Sequence, residues 1–305
     1  MRNILFAVSE GIGNIFELLP VTTSLECAKG WEISYLICEA NYNIGEDVLK
    51  RPTYNLDNVD RGFCKQFDGV IATWKGWDRV KKQGKGAGVK LLNNVNNQKL
   101  TSVKSWGRSE VDWRLDIARE LGVVEDQLKW GYDLGYDNEI TDHFHVVMAN
   151  GYNKNGKEWW RHKAYPKWND VVQQLYNTAP RFKICSIGAT QEEYIPQTVN
   201  RTCMPLSKSL ALIKNAELLL ANDTGVYHAS ALLKIPSIIA VTFTKLEKIY
   251  DSRFHTKASL VYDDMECREF CYDKRIYRGK CRYDYACKNI DVSNFVNLAL
   301  RKLQI

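Results

Sequence analysis

The sequence predicts an α/β protein built as two parallel-sheet domains with a cleft between them, on three observations. At 305 residues the chain exceeds what one hydrophobic core usually serves, so two domains of about 150 residues each are expected. Short apolar runs alternate with stretches of helical spacing, the arrangement that builds parallel sheets with crossover helices. The alternation restarts near His143, dividing the chain into 1–142 and 143–305. Two such series make a pair of Rossmann-like domains.

In the first series, Asn3 to Ser9 is a compact apolar run meeting Gly11-Ile12-Gly13, and helical spacing follows from Ile15 to about Lys29. That is a strand, a glycine turn and a helix. Further strands are expected at Trp31 to Cys38 and Phe67 to Trp74, and a helix at Ser109 to Leu121. In the second series, His145 to Asn150 and Arg181 to Ile187 read as strands flanking a helix at Lys167 to Tyr176. Ser207 is placed to cap a helix through Leu210, Ile213 and Lys214. A strand at Glu217 to Ala221, a helix at Tyr227 to Leu233 and a strand at Ile235 to Phe243 complete the series.

The most informative stretch runs from Leu206 to Pro236. Its strand delivers Asp223, Thr224 and Gly225 to the C-terminal edge of the sheet, where open α/β sheets bind ligands. A helix begins immediately afterwards. Its free amides and positive dipole end favour a diphosphate, and Gly225 lets the backbone approach closely. On spacing alone the same residues serve equally as a helix cap, Asp223 or Thr224, followed by a buried helical His228.

Asp223-Thr224-Gly225-Val226-Tyr227-His228 closely resembles the Asp-Thr-Gly-x-x-His signature of the family-9 glycosyltransferases, which include the lipopolysaccharide heptosyltransferases. The resemblance implies the GT-B fold, two facing Rossmann-like domains with a nucleotide-sugar cleft between them. The N-terminal domain would take the acceptor and the C-terminal domain a nucleoside-diphosphate sugar, typically ADP-heptose. Asp223, Thr224, Gly225 and His228 would then line the donor site. Gly13-Asn14-Ile15-Phe16-Glu17-Leu18-Leu19-Pro20 looks like the family's first glycine turn and helix, and places Gly13 beside the donor. Ser109 to Gly122 resembles the late N-terminal-domain helix. Lys163-Ala164-Tyr165-Pro166-Lys167-Trp168 is similar to the segment whose lysine contacts donor phosphate, and Gly188 through Glu193, with Glu192, occupies the place of a loop near the nucleoside.

Lys163 has a physical argument of its own. The leaving nucleoside diphosphate gains negative charge as the glycosidic bond breaks, and a fixed ammonium stabilises it. Without the resemblance, Arg161-His162-Lys163 reads as a solvated basic run. At the first turn the sequence departs from the family. Heptosyltransferases commonly place there the aspartate that deprotonates the acceptor, whereas this chain has Asn14, an amide that takes up no proton at neutral pH. Glu17, one helical turn beyond Gly13, and Glu10 are the candidate catalytic carboxylates, against the reading that both are solvated helix-start acids.

No Asp-x-Asp occurs in the chain, which fits metal-independent transfer with no cofactor beyond the nucleotide-sugar substrate. The spacing Cys267-x3-Cys271-x9-Cys281-x5-Cys287 leaves three states open: a structural zinc, disulfides, or unlinked thiols. The other cysteines fall mostly in apolar stretches, as small core residues. Lys75 to Lys85 mixes cations with Trp77 and reads either as a solvated loop or as a clamp for an anionic acceptor.

A net charge of +6 is too modest for a dedicated nucleic-acid binder but suits an anionic partner. Charge alone does not choose among a nucleotide sugar, a phosphorylated glycan or glycolipid at a membrane surface, and DNA; the resemblance implies the nucleotide sugar. Hydrophobic residues at 45% and charged residues at 26% exclude a disordered chain. No apolar run approaches the ~18 residues of a membrane span and the N-terminus lacks signal-peptide features, so a cytoplasmic protein, or one peripheral to the inner membrane surface, is expected. The expected reaction is inverting transfer of a heptose or hexose-like sugar to an acceptor hydroxyl, on a lipopolysaccharide-type glycan or a modified DNA base. The competing class is a nucleotide-sugar-binding protein that has lost its base.

Overall fold

The computed structural model describes residues 1–8, 11–37, 44–59, 62–72, 91–94, 108–152, 158–189, 192, 194–271 and 281–305. The chain divides into two compact units, Met1–Gly135 and Tyr136–Ile305. The division falls a few residues before the boundary expected at 142, because the intervening segment is bonded into the second unit. There the Asp137 amide donates to Ser207 O at 3.2 Å, and Asn215 Nδ2 donates to Ile140 O at 2.7 Å.

The first unit is built on β1 (Asn3–Val8), β2 (Glu32–Ile37), β3 (Thr53–Asn55), β4 (Gly69–Ala72) and β5 (Leu91–Asn94), ordered β3-β2-β1-β4-β5. All pairings are parallel, with Ile4 opposite both Ile33 and Gly69. Ile4 through Val8 are wholly buried, as a central parallel strand covered on both faces requires. The helices are α1 (Ile12–Lys29), α2 (Glu46–Leu49) and α3 (Glu110–Glu120), and α1 packs against α3. Ser109 caps α3, its side chain accepting from the Asp112 amide at 3.1 Å. α1 starts earlier than Ile15, with Gly11 as N-cap, so Gly13 and Asn14 lie inside its first turn.

The second unit contains β6 (Val146–Ala149), β7 (Ile184–Gly188), β8 (Val199–Thr202), β9 (Leu218–Asn222), β10 (Ser237–Ala240) and β11 (Ala258–Val261). Their order is β11-β10-β9-β6-β7-β8, again all parallel. Counted from β6 this is the 3-2-1-4-5-6 order of a doubly wound nucleotide-binding sheet, reversing direction between β6 and β9. The helices are α4 (Trp168–Thr178), α5 (Leu206–Lys214), α6 (Gly225–Leu233), α7 (Leu246–Ile249), α8 (Arg268–Cys271) and α9 (Val292–Lys302). α4 and α9 pack together over a core that includes Val146, Met148, Leu218, Leu220, Trp168 and Phe295. Each such aliphatic or aromatic side chain contributes about 1.5–3 kcal/mol when buried. Ser207 is not the cap expected: Pro205 takes the N-cap position of α5 without any side-chain bond, and Ser207 lies inside the helix.

Candidate functional site

The second sheet reverses between β6 and β9, and the residues at that point are tied together by one amide. Asn222, the buried last residue of β9, uses all its hydrogen-bonding capacity. Its Oδ1 accepts from the Tyr165 amide (3.1 Å) and from Trp168 Nε1 (2.9 Å), and its Nδ2 donates to Asn150 O (2.7 Å) and Gly151 O (3.1 Å). The strand end, the segment entering α4 and the chain leaving β6 are thereby held in register.

Asp223 follows and is 2% exposed. Its Oδ2 accepts from Lys163 Nζ at 2.7 Å and from Thr244 Oγ1 at 2.8 Å. Lys163 also stands over the Trp160 ring, 5.0 Å from its centroid. Thr242, beyond β10, donates to His162 O at 2.7 Å and so pins the backbone that carries the lysine. Thr224 is the extended N-cap of α6 and makes no side-chain capping bond; Gly225 opens the helix. A fixed ammonium therefore lies beside Asp223, which leads directly into the amides at a helix start, the two elements that recognise phosphate.

On the neighbouring strands, Glu192 accepts from the Ala189 amide at 2.8 Å, and its carboxylate closes over both Gly151 and Gly188. A Cβ on either glycine would collide with it, so the absence of side chains at the ends of β6 and β7 is what admits the carboxylate. His228, on the first turn of α6, is 6% exposed, and its Nδ1 lies 3.1 Å from Nε2 of His255.

The first unit treats its expected site residues differently. Glu17 is 2% exposed and its carboxylate lies 3.4 Å from Arg114 Nη2, which also holds Glu110 at 3.2 Å. The helix-start position expected to look outward is instead turned into the packing of α1 on α3. Gly13 and Asn14 are half-buried in the same turn. Glu10, the basic segment Lys75 to Lys85, and Thr190, Gln191 and Glu193 lie outside the described residues.

Two of the scattered cysteines depart from expectation. Among the described residues every cysteine is a free thiol, and Cys27 and Cys203 are exposed rather than in the core. No group of three or more His, Cys, Asp or Glu side chains among the described residues is arranged to hold a metal ion. Burial pushes the Cys287 thiol up to about 11, Arg268 opposing this and the thiols of Cys281, Cys267 and Cys271 adding to it.

No family model and no curated protein matches the sequence. Solved structures do match. A family-9 glycosyl transferase from Veillonella parvula is similar over 99% of this chain and 97% of its own, with a TM-score of 0.70 at 13% identity. The ADP-heptose lipopolysaccharide heptosyltransferase II of E. coli matches over the full length of both chains, with a TM-score of 0.67 at 10% identity. TibC from enterotoxigenic E. coli, an iron-containing dodecameric glycosyltransferase, matches over 99% of this chain and 76% of its own, at 0.66 and 14%. The chain has the GT-B fold. Both Rossmann-like units of that fold are present, with their parallel sheets and crossover helices as the sequence anticipated. Among the described residues no helix is long and apolar enough to cross a membrane.

Of the residues the sequence named for the donor, Lys163, Gly188, Glu192, Asp223, Thr224, Gly225 and His228 lie in the second unit and Gly13 in the first. Sequence reading did not name Asn222, Gly151, Thr244 and His255, which bond to or pack against them. Asn222 was adjacent to the motif, and an amide ending an apolar strand is a signal that could have been used. Thr244 and His255 are brought in only by the tertiary fold.

Proposed function

We propose that the protein is a family-9-type glycosyltransferase, taking a nucleoside-diphosphate sugar in its second unit and an anionic acceptor in its first. One observation carries the reading: the Lys163 ammonium is held by Asp223 at 2.7 Å, and the α6 start follows Asp223 in the chain. The lysine and the helix amides stabilise the charge gained by the departing diphosphate without a metal ion. Glu192, above Gly151 and Gly188, is suited to accept hydrogen bonds from the ribose, as the acidic residue of a doubly wound nucleotide site does. The donor sugar is a heptose or hexose-like sugar, in keeping with the heptosyltransferase among the similar structures. The acceptor is a hydroxyl of a lipopolysaccharide-type glycan met at the cytoplasmic membrane surface, and the anomeric centre inverts.

The base is assigned to Glu10, because Glu17 is engaged with Arg114. Asn14 orients the acceptor. The same Asn14 favours a second reading, a nucleotide-sugar-binding protein without transfer. Calorimetric titration with ADP tests the donor site. Lys163→Met is expected to weaken binding about 10- to 150-fold, the worth of a charged hydrogen bond, and unchanged affinity removes the proposed site. Hydrolysis or transfer of ADP-heptose separates enzyme from binder. Transfer is expected to persist in EDTA; loss restored by a divalent metal overturns metal-free chemistry, and precipitation instead points to a structural metal at the C-terminal cysteines.

A further inference from the structure

We infer that His255 is a positioning residue: it locks His228 as a neutral imidazole whose single proton is on Nε2, making His228 a hydrogen-bond donor to the anionic ligand and not a base. The part concerning the ligand rests on the donor site proposed above.

The argument starts at a backbone amide. The N–H of Asp251 donates to Nδ1 of His255 at 3.0 Å. A ring nitrogen that accepts carries no proton, so the proton of neutral His255 is on Nε2. That Nε2 lies 3.1 Å from Nδ1 of His228. Nδ1 of His228 is therefore the acceptor, and the proton of His228 is on its own Nε2. Charging His228 would put a second N–H on Nδ1, facing the N–H of His255. The clash is relieved only if His255 shifts its proton to Nδ1, which ejects the Asp251 amide.

The surroundings hold this arrangement. His255 is 0% exposed, its ring stacked on Tyr227 at 4.4 Å and 18° and met edge-on by Phe254 at 4.6 Å and 86°. Tyr250 lies parallel to the ring at 5.8 Å. Burial first, then the adjacent His228, hold the His255 pKa well below the usual imidazole range, against the opposing carboxylates of Asp251 and Asp223. The Asp251 carboxylate is itself occupied by Arg253, at 2.9 Å. His228 stands on the first turn of α6, next to Asp223, Thr224 and Gly225, where a donor and not a base complements phosphate.

Long-range proton–nitrogen correlation spectra of protein labelled with ¹⁵N-histidine read the tautomers directly. The expected spectrum at neutral pH shows both rings neutral with the proton on Nε2. His255→Phe keeps the ring packing and removes the donor, while His255→Gln returns an N–H near the Nε2 position. ADP affinity is expected to fall about tenfold in the Phe variant and to recover in the Gln variant. A His228 that is charged or protonated on Nδ1 overturns the inference, as does a folded Phe variant that binds ADP like the wild type. Should the Phe variant fail to fold, the wild-type spectrum and the Gln variant decide. Failure of the wild type to bind ADP, UDP or GDP overturns the donor-site reading and the ligand part of this inference, while the spectrum still decides the tautomer.

Discussion

The two units share a sheet architecture but dispose of their charged and polar side chains in opposite ways. In the first, carboxylates and guanidiniums neutralise one another along α3 and against α1: Arg108 holds Asp112 at 2.7 Å and Asp116 at 3.0 Å, Arg119 holds Asp112 at 3.0 Å, and Arg114 holds Glu17 and Glu110. In the second, one lysine, one aspartate, one saturated amide and two paired imidazoles stand about the end of β9 and the start of α6. Charge in the first unit joins helices, whereas in the second the Lys163–Asp223 pair stands at the strand end that leads into α6. A charged residue near a glycine turn is thus no guide to chemistry until its partner is known, and Glu17 is the example.

The largest expected effect tests that contrast directly. Arg114→Met leaves Glu17 buried without its cation, a loss that typically costs about 3–5 kcal/mol. Thermal unfolding should show it, while ADP affinity, assigned by the proposed function to the second unit, is expected to stay unchanged. If stability instead holds and transfer alone is lost, Glu17 belongs to the chemistry and the contrast between the units fails.

What was legible in the sequence follows from the same physics. β1 and β9 are buried on both faces, so each wrote a continuous apolar run, and Asp223 to His228 stood out at the end of one of them. β8, Val199–Thr202, is an edge strand whose residues are exposed or half-buried, and it carries no apolar run to recognise. β3 is likewise a short edge strand. Ser207 looked like a cap because serine commonly is one, but Pro205 had already set the helix start. His255 lies 27 residues beyond its partner His228, and only the packing of α6 against the segment after α7 brings the rings together.

A smaller effect comes from two glycines. At Gly135, in the first unit, an added Cβ meets the backbone carbonyl of Asp47; at Gly151, in the second, it meets the Glu192 side chain. Backbone cannot yield cheaply and a glutamate can. Gly135→Ala is therefore expected to lower the unfolding midpoint with ADP binding intact. Gly151→Ala should shift stability by less than about 1 kcal/mol and weaken ADP about tenfold as Glu192 is displaced. Equal stability losses at both positions, with no binding change, would remove Glu192 from the ligand site.

The smallest effect is a difference in acid response. His255 is buried and its folded pKa lies well below the ordinary histidine value of about 6.5, through burial first and the adjacent His228 second. The unfolded chain takes up a proton there that the folded chain refuses. The stability this group contributes is present above about pH 6.5 and drains away as pH falls from that value through the folded pKa. Asp112 has the same sign in a lower window. Its burial raises the pKa, but the hydrogen bonds from Arg108 and Arg119 outweigh that, and the net shift is downward. Its contribution is intact above about pH 4 and is lost as pH falls below that through the depressed folded value. Within either window the loss is at most about 1.4 kcal/mol per pH unit. Unfolding midpoints measured against pH should accordingly decline in two stages, the upper set by His255 and the lower by depressed carboxyls, Asp112 in the first unit and Asp291 in the second. Asp112→Asn is expected to shrink the lower stage and His255→Gln to erase the upper. A wild-type protein whose stability is flat down to about pH 4 would mean that His255 charges as readily folded as unfolded, and the neutral character ascribed to the second unit would not hold.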